Sequence, residues 1–158
     1  MNENEIKEIV RKTVSEYKSK KSNMTLALAE KLCDGVIAKA KEMDMRIVVC
    51  VSDGAGNPKI VKIMDDAYIA SYDIAVNKAF TSVALKMPTS TLKGLAKPGG
   101  ELYGIQFTNN GRIIVFGGGE TLLGDGGAII GGLGVSGGSE EQDTLLGRYG
   151  KDYFENKM

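Results

Sequence analysis

Glycine is concentrated in the second half of this chain and limits the structures that this half can form. Sixteen of the 21 glycines lie between Gly94 and Gly138. Three of them, at positions 131, 132 and 134, fall inside an apolar run that is typical of a strand. A glycine inside a strand leaves the sheet surface bare and marks the close approach of another group. We therefore expect a helix, a ligand or a second subunit to pack there, and we interpret GGLGVSGG (131–138) as the floor of a pocket at a subunit border.

The same stretch contains the pattern G-x-G-x-x-G, at Gly132, Gly134 and Gly137. In a dinucleotide-binding turn this pattern joins a strand to a helix whose N-terminus faces the pyrophosphate. Here the following helix opens with acidic residues at positions 140, 141 and 143, and their charge would repel a phosphate at that helix end. The glycines therefore do not predict a nucleotide site.

The charge balance and the missing residue types exclude several classes of protein. Twenty basic and 20 acidic residues leave a formal charge of zero, so the chain lacks the basic field that nucleic-acid binders use. Histidine is absent, which excludes His-dependent hydrolase triads and His-based zinc sites. Cys33 and Cys50 lie in apolar segments and are expected to be reduced core residues, so no metal site is predicted. Without a membrane span or a secretory signal, the protein is expected to be soluble and cytoplasmic.

The N-terminal segment is predicted to form an amphipathic helix over residues 1–17. Its apolar residues recur at three- and four-residue spacings and form one narrow stripe, made of Ile6, Ile9, Val10, Val14 and Tyr17. Asn2 and Glu5 are placed to cap the helix, and the polar residues 18–23 form a linker. A lone helix of about 15 residues is marginal in water, so we expect it to bind an apolar groove. Its own domain could supply that groove, but the separating linker favours a groove on another protein.

The rest of the chain, residues 24–158, predicts one α+β domain with a five-stranded, largely antiparallel sheet flanked by helices. The expected elements follow from apolar periodicity and turn residues. They are a helix from Thr25 to about Met43, strands near 46–52 and 59–64, helices within 65–87 and 88–100, strands near 104–108 and 112–117 around Asn110-Gly111, a strand near 128–135 and a closing helix over 139–154.

The long helix within 65–87 carries an unusual polar stripe. Asp73, Asn77 and Thr81 follow each other at four-residue spacing, so they share one face. Three further polar residues, Ser71, Lys78 and Ser82, lie beside them. The stripe either faces water or lines a cavity.

Several segments carry a resemblance to a known family. They are MTLALAEKL, VVCVSDGAGNPKIVKIMDDA, SYDIAVNKAFTS, KPGGELYGIQ, GRIIVFGGG and IGGLGVSGGSEEQD. Together they resemble the GlcG/HbpS-like heme-binding family, which also supplies the C-terminal domain of PduO-type cobalamin adenosyltransferases. The resemblance implies a profilin-like sheet and a homo-oligomer, commonly of six or eight subunits. It does not imply adenosyltransferase activity, because that catalytic domain is a separate helical bundle.

The N-terminal segment MNENEIKEIVRKTVSEY resembles the encapsulation peptides of bacterial microcompartment cargo proteins. Those peptides are short amphipathic helices followed by a flexible linker. The resemblance implies a shell or cargo protein as the partner and a location within a bacterial microcompartment.

The family resemblance implies heme or another tetrapyrrole as the ligand. Relatives often carry histidine where this chain has Asn57 and Thr144, so we expect heme to bind weakly or not at all compared with those relatives. Without histidine, iron can be ligated only by cysteine, methionine or tyrosine. The candidate ligands are Cys33, Cys50, Met64, Tyr68, Tyr72 and Tyr103.

The resemblance also implies a set of ligand-binding positions. They are Asp73, Lys78, Gly99, Gly100, Tyr103, Gly137, Gly138, Glu141 and Asp143. A lysine among small residues can hold a carboxylate, and glycine backbone lets a ligand approach closely.

Three functions remain open from the sequence. The first is a microcompartment-associated protein that binds a tetrapyrrole, a cobalamin-related compound or another small ligand. The second is an enzyme acting on a small metabolite or cofactor, with Lys78 as base or electrostatic group and Asp73 or Glu141 as its acidic partner. The third is an oligomeric scaffold.

Overall fold

The structure is a computed structural model that describes residues 1–19 and 21–158, with the side chains of residues 15–19 outside the description. The predicted role of Tyr17 in partner binding therefore falls outside the described residues. The helices are α1 (Glu3–Ser19), α2 (Leu26–Glu42), α3 (Ala70–Leu85), α4 (Thr89–Ala96) and α5 (Glu140–Asn156). The strands are β1 (Val48–Asp53), β2 (Pro58–Ile63), β3 (Gly119–Leu123) and β4 (Ile129–Ser136).

The four strands form one antiparallel sheet in the order β2-β1-β4-β3. The main hydrophobic core joins α2 and α5 to the sheet. A smaller cluster lies between α3 and strands β1 and β2, where Ala75 and Ala79 pack against Val48 and Cys50. The predicted α+β class is thus confirmed, with α2 and α5 on one face of the sheet and α3 on the other.

Local signals define the two helices of the main core. The Thr25 hydroxyl accepts the Leu28 amide and caps α2. At α5, Ser139 and Gln142 form a reciprocal capping box, which satisfies two amides that would otherwise lack partners. The apolar face predicted for α2 is buried except for Ile37, which is half-buried.

The prediction of five strands is wrong, because the segments 104–108 and 112–117 do not pair. Two short 3₁₀ helices occupy Ile105–Phe107 and Asn109–Gly111. Asn109, Asn110 and Gly111 all have positive φ, whereas a two-residue hairpin turn needs only two such residues. The backbone beyond them bonds to a side chain of α3: the Thr81 hydroxyl donates to the Arg112 carbonyl and accepts the Ile114 amide.

The hairpin of this half instead joins β3 to β4 through residues 124–128. The Gly124 amide donates to the Ala128 carbonyl at 2.9 Å, and Gly127 has a φ of 79°. Positive φ costs glycine little, whereas it strains other residues. The three glycines at positions 124, 126 and 127 therefore mark the hairpin turn of this half. The Asn110-Gly111 pattern had predicted that turn about 15 residues nearer the N-terminus.

Helix α3 of the same chain covers two of the three glycines of β4, and the third, Gly131, faces the Ser52 carbonyl oxygen of β1. A Cβ at Gly134 would collide with the Ala75 carbonyl oxygen, and one at Gly132 would collide with the Ala79 carbonyl oxygen. The whole of β4 beyond its first residue is buried. We expected a helix, a ligand or a second subunit to pack against these glycines, and the structure shows a helix. The glycines of the strand therefore do not form the floor of a pocket.

Helix α1 has the predicted cap and an unpaired apolar stripe. The Asn2 side chain accepts the Glu5 amide, and Glu5 accepts the Asn2 amide. The described stripe residues, Ile6, Ile9, Val10 and Val14, are 44–53% exposed. This half-exposed face is available to another surface.

The folded domain begins earlier than the predicted boundary at Met24. Lys21, expected in the linker, is buried, and its amide donates to Asp125 at 2.7 Å. Its ammonium group donates to the Phe154 carbonyl at 2.7 Å, at the end of α5. Lys21 therefore belongs to the domain rather than to a linker.

In the described part of the chain, no helix combines the length and the apolar character needed to cross a bilayer.

Candidate functional site

The polar stripe of α3 neither faces water nor lines a cavity over most of its length. Five of its six residues are buried, namely Ser71, Asn77, Lys78, Thr81 and Ser82. They hydrogen-bond within the fold: Ser136 donates to Ser71 at 3.0 Å, and Ser82 donates to the Glu120 carbonyl at 3.0 Å. Asp73 alone is exposed. Because β4 is glycine-rich, the helix lies close enough for these short side chains to reach the strands.

Lys78 and Asp143 form a buried ion pair between α3 and α5. The lysine Nζ lies 2.9 Å from Asp143 Oδ2 and donates to the Val135 carbonyl at 2.8 Å. The ring of Phe116 lies 4.9 Å from Nζ, so its π face adds a favourable contact. Gly118 provides the space, since a Cβ there would lie 2.6 Å from the lysine nitrogen.

Burial lowers the pKa of Lys78, while the Asp143 carboxylate opposes that shift. Lys78 is 0% exposed, and its contacts with Asp143, Val135 and Phe116 all lie within the chain. This arrangement links α3, β4 and α5 and leaves no open face for a substrate on the lysine. It does not provide the exposed base that the enzyme hypothesis requires.

The start of α5 gathers the other predicted residues of this region. Asp143 also accepts the Gly138 amide at 2.9 Å, and a Cβ at Gly137 would collide with the Arg46 carbonyl oxygen. Hydrogen bonds from Lys93 and from the Gly117 amide lower the pKa of Glu140. Glu141 is exposed and lines an open groove of about 460 Å³ with Lys93, Glu140, Thr144, Leu145 and Arg148.

The remaining predicted positions lie elsewhere. Gly99, Gly100 and Tyr103 belong to the loop after α4, where the Gly100 amide donates to the Lys97 carbonyl at 2.8 Å. Tyr103 is 64% exposed. Asp73 lies on the exposed side of α3. The structure therefore brings together Lys78, Gly138 and Asp143, and none of the hydrogen bonds among the described residues joins the others to them.

A second candidate site, which sequence reasoning missed, is the outer face of α3. Ile69, Tyr72, Val76 and Phe80 recur at three- and four-residue spacings and share one side of the helix; we call them the outer ridge. Ile69 is 98% exposed and Tyr72 is 51% exposed, and the adjacent Tyr68 is also largely exposed. The small residues Ala75 and Ala79 mark the buried face of α3, and the half-buried Val76 borders it.

Arg112 lies at the Phe80 end of the outer ridge. Its guanidinium carbon is 3.7 Å from the centroid of the Phe80 ring. The Arg112 Nε donates to Asn77 Oδ1 at 3.3 Å, and Asn77 in turn donates to Asp73 at 3.1 Å. The predicted residue Asp73 is therefore part of a network that positions an arginine.

The candidate iron ligands separate clearly by exposure. Cys33 and Cys50 are 0% exposed, and burial is the main cause that raises the pKa of each thiol to about 12. Both thiols are buried and neutral near neutral pH, which disfavours them as iron ligands. Tyr68, Tyr72 and Tyr103 are exposed, and Met64 is half-buried.

The two positions at which relatives often carry histidine are far apart in this chain. Asn57 lies in the turn after β1, and Thr144 lies near the start of α5. Val48 at the start of β1 pairs with Ser136 at the end of β4. The turn after β1 and the helix that follows β4 therefore lie at opposite ends of these strands.

Sequence comparisons identify relatives over most of the domain. A family model described as "Haem degrading protein HbpS-like" matches residues 24–151. A 15.0 kDa Citrobacter freundii protein from the dhaT-dhaS intergenic region is 43% identical over 133 residues, which cover 84% of this chain and 93% of that protein. The corrinoid adenosyltransferase PduO of Salmonella typhimurium is 39% identical over 112 residues, covering 71% of this chain. This chain spans only 33% of PduO.

Solved structures agree with the sequence comparisons. The Klebsiella pneumoniae protein ORFY matches with a TM-score of 0.81 and 40% identity, over 88% of this chain and 96% of that one. The PduOC:heme complex matches with a TM-score of 0.79 and 34% identity, over 85% of this chain and 96% of that one. From its sequence and its fold alike, this chain belongs to the HbpS-like family.

Proposed function

We propose that this protein binds a tetrapyrrole on the outer ridge of α3. The observation that carries the proposal is the exposed apolar and aromatic surface formed by Ile69 and Tyr72, beside Tyr68. A flat, largely apolar macrocycle buries such a surface favourably. Membership of the HbpS-like family and the likeness to a domain solved with heme support this ligand class.

The residues of the ridge fit the group in two respects. From Ile69 to Phe80 the ridge extends about 16 Å along the helix, which is comparable to the width of a porphyrin; its exposed part is the Ile69 and Tyr72 end, and Val76 and Phe80 are half-buried. Tyrosine ligates heme iron in some proteins, and Tyr68 and Tyr72 are both accessible. When bound, heme would supply a redox-active iron; the chain would supply the apolar platform and a phenolate.

We expect the affinity for heme to be lower than in relatives with histidine. A phenol must lose its proton to bind iron, whereas a neutral imidazole can bind iron directly at neutral pH. Exposure of both tyrosines also leaves the iron in contact with water. Binding should therefore depend strongly on the apolar contact.

Hemin titration of the full chain, followed by its Soret band, tests the proposal. Ile69→Glu should weaken hemin binding by placing a charge on the apolar platform. Tyr68→Phe and Tyr72→Phe should alter the Soret spectrum if either phenolate ligates iron. Leu145→Glu, at an exposed apolar residue of α5, serves as the matched control for Ile69→Glu. Equal loss of binding in Ile69→Glu and Leu145→Glu would refute the assignment of hemin to the ridge.

We further propose that α1 directs the protein to a bacterial microcompartment by binding a shell or cargo protein. The support is the half-exposed stripe of Ile6, Ile9, Val10 and Val14, since an amphipathic helix binds a partner groove through such a face. The likeness to PduO is consistent with this setting.

A fluorescent reporter fused to residues 1–20 tests the targeting role in cells that produce the compartment. The fusion should form puncta that depend on the stripe, so Ile9→Glu with Val10→Glu should make the fluorescence diffuse. Lys12→Glu, on the charged side of the same helix, should leave the puncta intact. Diffuse fluorescence of the unmodified fusion would overturn the proposal.

A further inference from the structure

We propose that Arg112 forms a carboxylate-binding subsite at the Phe80 end of the outer ridge. Its ligand is a molecule that combines a flat apolar body with a carboxylate. The inference that this ligand is a tetrapyrrole rests on the proposed function. Binding of a carboxylate to Arg112 can be measured without any tetrapyrrole.

The guanidinium of Arg112 is held in one orientation by two independent contacts. Its plane lies over the ring of Phe80, with 3.7 Å between the guanidinium carbon and the ring centroid. Its Nε donates to Asn77, whose side chain is 7% exposed and is itself bonded to Asp73. A rigid side chain loses little conformational entropy when it binds a ligand. The arginine is therefore already ordered before a ligand arrives.

The backbone of Arg112 is fixed as well. Its carbonyl accepts the Thr81 hydroxyl, and its amide donates to the Asn109 carbonyl at 3.2 Å. The ring of Phe80 is braced from the other side by the turn after β1, since a Cβ at Gly56 would lie 2.9 Å from the Phe80 ring. The support of the guanidinium thus extends to two loops and a helix.

The two terminal nitrogens of Arg112 have no hydrogen-bond partner among the described residues. Within residues 1–19 and 21–158, Nε and the backbone form the hydrogen bonds of this residue. No acidic side chain in that part of the chain forms an ion pair with it. With the flat face on Phe80 and Nε on Asn77, the Nη edge presents two parallel donors, the geometry that binds a carboxylate in bidentate fashion.

The neighbouring groups define the ligand further. Phe80 and Val76 are half-buried, and Val76 also packs against the small core cluster, whereas Ile69 is fully exposed. A carboxylate on Arg112 therefore places an attached flat body along this side of α3, toward Ile69. Asp73 lies on the same helix and contributes negative charge, which favours a singly charged carboxylate over a phosphate dianion. A porphyrin propionate has the required chemistry.

The first experiment uses NMR of the full chain labelled with ¹⁵N and follows the Arg112 Nε–H resonance, assigned by its loss in Arg112→Lys. Propionate, a monocarboxylate, should shift this resonance to saturation, and sodium chloride at equal ionic strength should not. Asn77→Ser should reduce the response. Equal shifts with propionate and chloride would overturn the subsite, and a larger response to inorganic phosphate would overturn its preference for carboxylate.

The second experiment compares hemin with hemin dimethyl ester, in which both carboxylates are blocked. Esterification should weaken binding about tenfold, the effect of one charge-assisted hydrogen-bonded pair. Arg112→Lys should weaken hemin binding similarly and leave the ester unaffected, with the exposed Arg148→Lys as control. Unchanged hemin affinity in Arg112→Lys refutes the subsite while the proposed function stands. Failure of hemin to bind, with saturable propionate binding, refutes the proposed function while the subsite stands.

Discussion

The Nζ of Lys78 lies 2.9 Å from Oδ2 of Asp143, and the two residues are 0% and 3% exposed. They are 65 positions apart in the sequence and join α3 to α5 across the end of β4. Water cannot solvate either charge, so each charge depends on the other and on the Val135 carbonyl and Gly138 amide. The ion pair is consequently a structural link, and removing either partner should lower the free energy of unfolding substantially.

We predict that Lys78→Met lowers the free energy of unfolding by about 3–5 kcal/mol, because it leaves the Asp143 carboxylate buried and unpaired. Asp143→Asn should also destabilise the protein, and the double variant should lose less than the sum of the single changes. Urea unfolding of the four proteins gives the coupling energy.

Lys93 and Glu140 provide the matched control for this cycle, since they form an ion pair that is 57% and 33% exposed. Lys93→Met with Glu140→Gln should give a coupling energy below about 1 kcal/mol. Equal coupling in the buried and the exposed pair would show that burial does not strengthen the Lys78–Asp143 link.

We predict that Gly134→Ala destabilises the domain by about 1–3 kcal/mol, because the new methyl group collides with the Ala75 carbonyl and must push α3 away from β4. Gly94→Ala is the control. Gly94 lies within α4, where a Cβ meets no atom within 4 Å, and replacing a helical glycine by alanine should stabilise by about 0.5–1 kcal/mol. Chemical denaturation should thus shift the two midpoints in opposite directions; a shift in the same direction contradicts the packing role of Gly134.

Features encoded by local patterns could be predicted from the sequence. The Thr25 cap, the apolar face of α2, the first hairpin and the start of α5 all depend on neighbouring residues, and the structure confirms them. The Asn110-Gly111 signal misled because it is also local: it marks positive φ correctly but cannot show that Thr81, about 30 positions earlier, bonds to the chain that follows.

Features that depend on tertiary contacts could not be derived in the same way. The family resemblance named Lys78 and Asp143 as members of one site, and the structure brings them together, but as partners of each other. The outer ridge was missed because its exposure depends on which face of α3 packs against the glycine-rich strand β4. Arg112 was missed because its supports, Phe80 and Asn77, lie more than 30 positions earlier in the chain.

We predict an unusual pH dependence from Glu120 on β3. Its side chain is 2% exposed, and among the described residues its Oε1 has no hydrogen-bond partner. Burial raises its pKa; the nearby Glu155 also raises it, whereas Lys151 and Arg148 oppose the shift. The folded state therefore binds this proton more tightly than the unfolded chain does. The associated stability is fully present below the ordinary glutamate pKa of about 4.3 and is lost as the pH rises through the higher pKa of the folded state.

Glu120→Gln imitates the protonated carboxyl and should remove this loss. Its free energy of unfolding should exceed that of the unmodified protein at neutral pH, with the difference shrinking as the pH falls toward 4. Glu101→Gln, an exposed glutamate, should leave the pH profile unchanged. If the free energies of unfolding of Glu120→Gln and the unmodified protein change in parallel with pH, the prediction is wrong, and the Glu120 carboxylate must have a partner in solution.

We predict that the domain retains its stability without residues 2–20 but not without Lys21. The Lys21 ammonium group caps the C-terminal end of α5 through the Phe154 and Glu155 carbonyls and lies 5.0 Å from the centroid of the Phe154 ring. A cation at a helix C-terminus interacts favourably with the helix dipole. Lys21→Met should therefore lower the free energy of unfolding by about 1–2 kcal/mol. Thermal unfolding should therefore show similar transitions for the full chain and the variant lacking residues 2–20, and a lower transition when Lys21→Met is added to that variant. A large loss on removing residues 2–20 alone would instead show that α1 is part of the folded domain.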